Sequence, residues 1–418
     1  MLTMRQKKAV TKELKDRYQR SSKKEKTIML NGFIQLTRYN RSYAARVLRI
    51  KEVLGYMNIG GRRVRLVRDN KRKRNKNKIY GQDVLVALKE IWKIGDYICS
   101  KRLAPYLSEI IPVLEKWGEI KLDAKVRKKL FKISAATIDR MLAETRKRYR
   151  IKGRSTSRPG TLLKKSIPIK TFADWDEAKP GFFEVDLVSH EGGAARGDFI
   201  QSLNFTDICT SWDEMIAVKN KAQVWVFAGI KRIEERLPFS VLGLDSDNGA
   251  EFINAHLLRY CEQNQITFTR SRPYRKNDSC FVEQKNWSVI RRAVGYARYD
   301  TDNELNTLNE LYGYLRLYVN FFQPVRKLIK KERIGSKVIK RYDEAKTPYR
   351  RVLASPDIED KIKVKLRKEY DMLNPAELKR KITKLQNKLL KLNALKQKVR
   401  EDLEKSVEPS SRFEYIST

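Results

Sequence analysis

Apolar residues recur at helical spacing over the first third of the chain. In residues 1–60 they fall on both sides of a short break, at Met29, Phe33, Leu36, Tyr43, Val47 and Leu48. Intervals of three and four residues predict amphipathic helices, so this region is typical of a helix-turn-helix whose second helix begins near Asn40. Residues 82–149 repeat the pattern, and Ser134 is a good N-cap for their last helix. This second all-α module is either another helix-turn-helix or a helical spacer packed against the next domain.

A shorter period begins near residue 181. Apolar runs broken by turns predict three consecutive strands, after which helices alternate with strands. The predicted strands are Phe182–Ser189, Phe199–Ile208, Trp212–Val218, 241–244 and 266–269, and the predicted helices are 221–236 and 250–264. The pattern therefore predicts a central α/β domain over residues 176–318.

The C-terminal part combines a basic segment with a heptad repeat. Residues 319–370 are rich in Lys and Arg and are predicted to be partly β, and residues 406–418 are predicted to be a disordered tail. Residues 371–405 are predicted to form a coiled-coil helix, because apolar side chains recur every seven positions. The heptad positions are Leu378, Leu385, Leu392 and Val399. That helix either joins subunits or folds back within the chain, and we expect it to join subunits.

The charge of the chain indicates a polyanionic partner. The 91 Lys and Arg residues exceed the 50 Asp and Glu residues by 41, far more than solubility requires, so nucleic acid is the expected partner. Residues 61–81 and 150–175 are basic linkers that can lie along DNA. The side chains expected to reach DNA from the helices and the first linker are Arg41, Ser42, Arg46, Arg49, Lys71, Arg72, Lys73, Arg74, Thr137 and Arg140.

Composition excludes several other classes of protein. The four cysteines form no C-x-x-C pair and only two histidines are present, so a Cys/His zinc site is not expected. No apolar stretch approaches the roughly 20 residues of a membrane helix, and the first residues lack the apolar core of a signal peptide. We expect a soluble intracellular protein that has no membrane partner.

Three acidic residues stand out against this basic background. Asp186 lies inside the apolar run Phe-Phe-Glu-Val-Asp-Leu-Val, Asp247 follows a predicted strand in Ser-Asp-Asn-Gly-Ala-Glu-Phe, and Glu283 precedes a predicted helix in Phe-Val-Glu-Gln-Lys. A mid-strand carboxylate beside a core is costly unless it is used. Carboxylate oxygens are the ligands that Mg²⁺ prefers, and two such ions activate phosphodiesters for in-line attack.

Each acid also has a structural interpretation. Asp247 in Asp-Asn-Gly is a common turn former, and Glu283 is an ordinary first-turn glutamate of a helix. The nearby carboxylates that compete for the same role are Glu184, Asp207, Asp245, Glu251 and Asp278. Asp245 and Asp247 fall on one face of a strand, so periodicity alone does not choose between them.

The order and spacing of the three acids resemble a known family. Between Asp247 and Glu283 lie 35 residues, which matches the D, D-35-E pattern of integrase-core transposases of bacterial insertion sequences, the DDE enzymes similar to retroviral integrases. The segments Asp-Asn-Gly-Ala-Glu-Phe, Ser-Arg-Pro-Tyr-Arg-Lys and Asn-Phe-Phe-Gln-Pro also resemble that family, and the first of them selects Asp247 over Asp245. The zinc-binding N-terminal module of retroviral integrases is absent, and Asn-Asp-Ser-Cys replaces a Gln-Thr-Asn-Gly type of loop.

The resemblance implies a fold, a reaction and further site residues. It implies a multidomain protein with a ribonuclease-H-like catalytic core, in which Asp186, Asp247 and Glu283 hold two Mg²⁺ or Mn²⁺ ions per active site. It implies 3′-end cleavage and strand transfer at terminal inverted repeats and target DNA, by a homo-oligomer in the bacterial cytoplasm at the nucleoid. Lys285 and Arg292, one heptad apart, would hold the DNA end.

Trp287, one helical turn after Glu283, is expected to pack under the active site rather than to stack on a base. Two other functions remain open. A DNA-binding repressor derived from a transposase would keep the acids without catalysis, and a nucleic-acid chaperone would bind through charge alone.

Overall fold

The computed structural model describes most of the chain, in two compact units that are treated separately below, Met1–Lys78 and Ile79–Thr418. The described residues are 2–49, 53–60, 62–67, 79–149, 179–193, 196–246, 251–252, 255–270, 280–335 and 337–407. The predicted linker 150–175 and most of the predicted tail 406–418 lie outside these residues.

The first unit consists of three helices and a β-hairpin. Its elements are α1 (Met4–Arg20), α2 (Lys23–Thr37), α3 (Arg41–Arg49), β1 (Val53–Ile59) and β2 (Arg62–Val67). The core side chains of the helices are Tyr18, Leu30, Phe33, Ala44 and Leu48. The break between α2 and α3 begins at Arg38, whose φ of 55° is left-handed and ends α2.

Two expectations for this unit were wrong. Leu36 and Tyr43 belong to the apolar pattern that predicts the amphipathic helices, but they are 59% and 42% exposed and are not part of the core of the three helices. The basic linker predicted for residues 61–81 begins with a strand, since β2 pairs antiparallel with β1. Gly60, with a φ of 55°, stands between the two strands.

The second unit begins with four helices that pack against the sheet domain. They are α4 (Gln82–Ile94), α5 (Ser100–Lys116), α6 (Ala124–Phe131) and α7 (Ala135–Tyr149). Ser134 caps α7 by accepting a hydrogen bond from the Thr137 amide at 3.3 Å. The ion pair between Arg350 and Glu109, at 2.8 Å, is one of several contacts that join α5 to the C-terminal part of the unit.

A five-stranded mixed sheet forms the centre of the unit. Its strands and intervening helices are β3 (Phe182–Ser189), β4 (Gln201–Asp207), β5 (Asp213–Val218), α8 (Gln223–Glu234), β6 (Gly243–Ser246), α9 (Ala255–Gln263) and β7 (Thr267–Arg270). The order is β5-β4-β3-β6-β7, in which β3, β4 and β5 are antiparallel and β6 and β7 run parallel to β3. Three antiparallel strands followed by alternating helix and strand confirm the predicted α/β core, and each strand lies within two residues of its predicted bounds.

The remaining elements cover the sheet and extend from it. They are α10 (Cys280–Lys285), a π-helical turn (Asn286–Arg291), α11 (Arg292–Val294), α12 (Asp302–Phe322), β8 (Leu328–Ile334), β9 (Lys337–Tyr342), α13 (Pro348–Ala354), α14 (Asp360–Met372) and α15 (Pro375–Val407). Thr301 and Glu304 form a capping box that starts α12. None of the described helices is both long and apolar enough to cross a bilayer.

Two of the four heptad positions of α15, Leu378 and Leu385, are packed inside the chain, whereas Val399 is 50% exposed. Leu378, Leu385 and Leu389 are buried, and the helix lies along α12. The Lys396 ammonium pairs with Asp300 at 2.8 Å and with Glu304 at 2.7 Å, which fixes the far end of the contact. The expectation that the buried leucines join subunits is therefore wrong, because they pack within the chain, where α15 lies against α12.

Replacing a buried leucine of α15 should destabilise the fold. Leu389 is 1% exposed and its neighbour Leu390 is 62% exposed, so the two form a matched pair. We expect Leu389→Ala to lower the free energy of unfolding by about 2–5 kcal/mol and Leu390→Ala to change it by less than about 0.5 kcal/mol. Denaturant unfolding measures the difference. A variant Leu389→Ala that loses self-association while keeping its unfolding midpoint would instead support a helix that joins subunits.

Candidate active site

Asp186 is held in the middle of the central strand by two hydrogen bonds. Its neighbours Val185 and Val188 are buried, whereas the Asp186 side chain is half-buried. Oδ1 accepts from the backbone amide of Leu187 at 2.8 Å, and Oδ2 accepts from Nδ2 of Asn286 at 2.7 Å. The carboxylate therefore has a fixed orientation on the face of the sheet that α10 crosses.

Asn286 joins this carboxylate to the neighbouring strand and to the helix that follows Glu283. Its Oδ1 accepts from Nδ2 of Asn204 at 2.9 Å, and Asn204 lies opposite Asp186 in the β3–β4 register. One side chain thus connects two strands with the first residue of the π-helical turn. Neither asparagine was predicted from the sequence, although Asn286, three residues after Glu283, would lie on the same side of a regular helix as that glutamate.

Glu184 sets the position of the helix that carries Glu283. It lies two residues before Asp186 and therefore on the same face of β3. Its Oε2 accepts from the backbone amides of Phe281 and Val282, both at 2.7 Å. A fully buried carboxylate thus holds the first turn of α10 against the strand, while Glu283 itself faces solvent.

The acidic side chains in this region influence one another. The pKa of Glu184 is raised to about 8, chiefly by burial and also by the charges of Asp245 and Glu283, and the hydrogen bonds from the two backbone amides oppose this rise. Asp245 pairs with Glu184 in the parallel β3–β6 register and accepts from the Thr269 hydroxyl at 2.7 Å. Glu184, Asp245 and Glu283 therefore lie close enough to one another to interact electrostatically within a strongly basic chain.

Asp247, the second predicted ligand, lies outside the described residues. The strand that precedes it, β6, ends at Ser246, which pairs with Val185. The end of β6 therefore lies beside Val185, the residue before Asp186. The competing carboxylate, Asp245, lies opposite Glu184 instead.

Two other competing carboxylates have different surroundings. Asp207 is fully buried and accepts from the backbone amides of Gly181 at 2.8 Å and Thr210 at 2.6 Å, so it stabilises the turn between β4 and β5. Glu251 is half-buried, and Asp278 lies outside the described residues.

The predictions for Lys285 and Arg292 need correction. Lys285 is buried, its Nζ donates to the Ser211 carbonyl at 3.2 Å, and it pairs with Asp213 at 3.9 Å. Arg292 pairs with Asp96 of the helical block at 3.0 Å. The two do not share an outer face because the π-helical turn between them changes the number of residues per turn, which a heptad argument takes as constant.

Trp287 is also placed differently from the prediction. It is 67% exposed and does not pack under the active site. The buried positions of this helix are instead Val282, Lys285, Val289 and Ile290.

The other residues predicted to contact DNA lie in both units. Arg41, Ser42, Arg46 and Arg49 are exposed on α3. In the second unit Arg140 is exposed, and its Nη2 donates to the hydroxyl of half-buried Thr137 at 2.9 Å. Lys71, Arg72, Lys73 and Arg74 lie outside the described residues.

The donor set suits a hard divalent cation. Asp186 and Glu283 offer carboxylate oxygens on adjoining elements, as Mg²⁺ and Mn²⁺ prefer. Within the part of the chain that the structure describes, which omits Asp247, no three His, Cys, Asp or Glu side chains form a group able to hold a metal ion.

Comparison with known proteins identifies a relative across most of the chain. The uncharacterized protein y4rM of Sinorhizobium fredii is 38% identical over 336 residues, which cover 80% of this chain and 92% of the relative. The chain belongs to the y4rM family. No protein-family model matches the sequence.

Solved structures similar to part of the chain include viral integrases. The catalytic core domain of BIV integrase has a TM-score of 0.28 at 18% identity, covering 41% of this chain and 91% of that one. The HTLV-2 integrase catalytic core domain in complex with magnesium has a TM-score of 0.26 at 13% identity, covering 34% and 86%. A simian T-cell lymphotropic virus intasome has a TM-score of 0.31 at 14% identity, covering 51% and 70%. These TM-scores are too low to assign the fold, so the fold of this y4rM family member is described from the strand order of its own sheet.

Removing the Asn286 amide should weaken divalent-ion binding. Asn286→Ala frees Asp186 Oδ2 to rotate, and the loss of such a supporting contact typically costs about 10- to 100-fold in metal affinity. Ser288→Ala, two residues along the same turn, is the matched control. Titration of the full chain with Mn²⁺, followed by electron paramagnetic resonance, measures the affinity. Equal affinities of the two variants would contradict the role assigned to Asn286.

Proposed function

We propose that the chain is a transposase of the integrase type, which cleaves the 3′ ends of a mobile element and joins them to target DNA. The observation that carries the proposal is the hydrogen bond from Asn286 to Asp186. It ties the helix of Glu283 to the central strand. Together with the end of β6 beside Val185, this arrangement brings three acid-bearing elements to one place on the sheet.

The ligands we propose are Asp186, Asp247 and Glu283. Two Mg²⁺ or Mn²⁺ ions held there would activate water, and then the freed 3′-hydroxyl, and stabilise the leaving oxygen. Asp186 supplies an oxygen whose direction is set by the Leu187 amide and by Asn286. Glu283 supplies an exposed carboxylate from a helix whose first turn is held by Glu184.

The assignment of Asp247 over Asp245 rests on the surroundings of Asp245. That carboxylate is 4% exposed and accepts a hydrogen bond from Thr269, so little of it is accessible to a phosphate. Asp247 follows it at the end of the same strand, and the family motif Asp-Asn-Gly-Ala-Glu-Phe begins there.

The basic surfaces support DNA as the substrate. The net charge is +41, and the exposed residues of α3 present three arginines from one short helix. In the second unit, the hairpin of β8 and β9 places Lys330 opposite Arg341 and Lys331 opposite Lys340. Like charges directly across a ladder destabilise it, which favours a polyanion on this hairpin.

We further propose that α3 reads the terminal inverted repeats and that residues 319–370 bind DNA beside the catalytic core. Joining two element ends in register requires two active sites, so the active form would be a homo-oligomer. The buried leucines Leu378, Leu385 and Leu389 of α15 do not form its contact, because they are packed within the chain.

The second candidate function is a repressor derived from a transposase, which binds the same repeats without catalysis. The fixed orientation of Asp186 and the solvent-facing Glu283 favour the enzyme, since a relic needs neither. A nucleic-acid chaperone acting through charge alone has still less support, because it requires no buried acidic framework under the site.

Metal-dependent nicking tests the proposal. A labelled duplex carrying the inverted repeat that flanks the gene is incubated with the full chain and Mg²⁺. We expect cleavage at the 3′ end of the repeat, and a loss of about 100-fold or more in rate for Asp186→Asn and Glu283→Gln, because each removes a ligand charge.

Glu262→Gln, which changes an exposed glutamate of α9, is the matched control and should cleave normally. DNA binding should persist in all the variants. Specific binding by the intact chain without any cleavage would support the repressor instead.

A further inference from the structure

The two most exposed aromatic side chains among the described residues both follow Glu283 in the sequence, one in the π-helical turn and the other in the turn just after α11 ends. Tyr296 is 68% exposed and Trp287 is 67% exposed. Aromatic side chains of this size are usually largely buried, and those left in water commonly mark a binding surface. Their placement next to a candidate catalytic residue suggests that they serve its substrate.

Trp287 lies near the two carboxylates because its neighbours in the sequence are attached to them or carry them. The preceding residue, Asn286, donates the hydrogen bond to Asp186, and Glu283 lies one helical turn earlier. Lys285, Val289 and Ile290 take the buried side of the segment, so Glu283 and Trp287 share its solvent side. A flat ligand on the indole ring would therefore lie close to a phosphate held at these acids.

Arg291 and Tyr296 continue the surface away from the acids. The Arg291 guanidinium lies 4.7 Å from the centroid of the Tyr296 ring. It is fixed by donating to the carbonyls of Ser189 at 2.7 Å and Gly295 at 3.3 Å. Glu283, Trp287 and Arg291 follow one another at intervals of four residues, which is about one turn in both an α-helix and a π-helix, so carboxylate, ring and cation succeed one another from α10 to the end of the π-helical turn.

This order suits one strand of DNA that leaves the catalytic centre. The face of a base stacks on an aromatic ring, and a guanidinium attracts the phosphate of the next nucleotide. A base inside a duplex has both faces covered, so an exposed indole can stack only on an unpaired or terminal base. The ligand class that fits is therefore an unpaired nucleobase.

We propose that Trp287, continued by Arg291 and Tyr296, is a stacking site for an unpaired nucleobase at the DNA end. The proposal rests on the proposed function, because the phosphate of that nucleotide is the one placed at Asp186 and Glu283. It names the part of the substrate that the site recognises, which is a base freed from its partner strand next to the reacting bond.

A comparison of two DNA ends tests this site. One probe is a duplex with a short single-stranded 3′ end of mixed sequence, and the other has the same sugar-phosphate end without bases. Affinities of the full chain are measured by fluorescence anisotropy without divalent ions, so that no cleavage is required. The variants are Trp287→Ala, Trp287→Phe and the control Trp225→Ala, which removes another exposed tryptophan, 43% accessible, from α8.

We expect Trp287→Ala to weaken binding of the base-containing end by about 5- to 100-fold and to leave the abasic end unchanged. Trp287→Phe should restore most of the affinity, because it restores a ring. Trp225→Ala should bind both ends as the intact chain does. The two probes carry the same phosphates, so a difference between them isolates the contribution of the bases.

Several results would overturn the stacking site. These are an equal loss on both ends, no loss on either end, or no binding of either probe by the intact chain. A change in sedimentation of Trp287→Ala without DNA would show that the ring contacts a second copy of the chain. If the intact chain nicks the repeat but the two probes behave alike, the stacking site fails alone. If nicking is absent but the probes differ, the site stands and the catalytic proposal fails.

Discussion

The candidate site depends on a single side-chain amide that spans two strands and a helix. Asn286 donates to Asp186 and accepts from Asn204, so the segment that follows Glu283 cannot shift along the sheet without breaking both bonds. Glu184 adds the second attachment through the amides of Phe281 and Val282. Because polar groups buried near a core must be satisfied, these contacts fix the helix in one place. The catalytic role that we propose for Glu283 and Asp186 depends on that placement.

In a strongly basic chain, nearby Lys and Arg side chains could pair with the acidic residues of the candidate site. Lys285, on the Glu283 helix, is turned into the protein, where burial lowers the pKa of its ammonium group and Asp213 opposes that effect. The pKa of Asp213 is raised to about 6, because the effect of burial exceeds the opposing effect of Lys285. Arg292, which is exposed, pairs with Asp96. Both Lys285 and Arg292 are therefore paired within the protein, and the Glu283 carboxylate faces solvent.

Much of the fold could be predicted from local pattern. The apolar run Phe182–Ser189 and the turns that follow define the central strands, because short apolar runs bounded by turn residues are typical of buried strands. The candidate ligands Asp186 and Glu283 were predicted from their contexts and spacing. The contact between Asn286 and Asp186 could not be predicted, since it joins residues 100 positions apart in the sequence.

Two other features escaped prediction for physical reasons. A π-helical turn has no distinct apolar period, so the inward direction of Lys285 and the outward direction of Trp287 were both misread. The heptad of α15 specifies an apolar seam but not its partner, and the partner proved to be α12. Sequence period gives the face of a helix, whereas long-range packing decides what covers it.

Crystals of the full chain soaked in Mn²⁺ would test the central claim most directly, through the anomalous scattering of the ion. The account predicts a peak at coordination distance, roughly 2.0–2.2 Å, from carboxylate oxygens of both Asp186 and Glu283. The peak should disappear for Asp186→Asn, whereas Ser288→Ala should keep it. Manganese bound to Asp245 or Asp207 instead, with Asp186 and Glu283 left without metal, would contradict it.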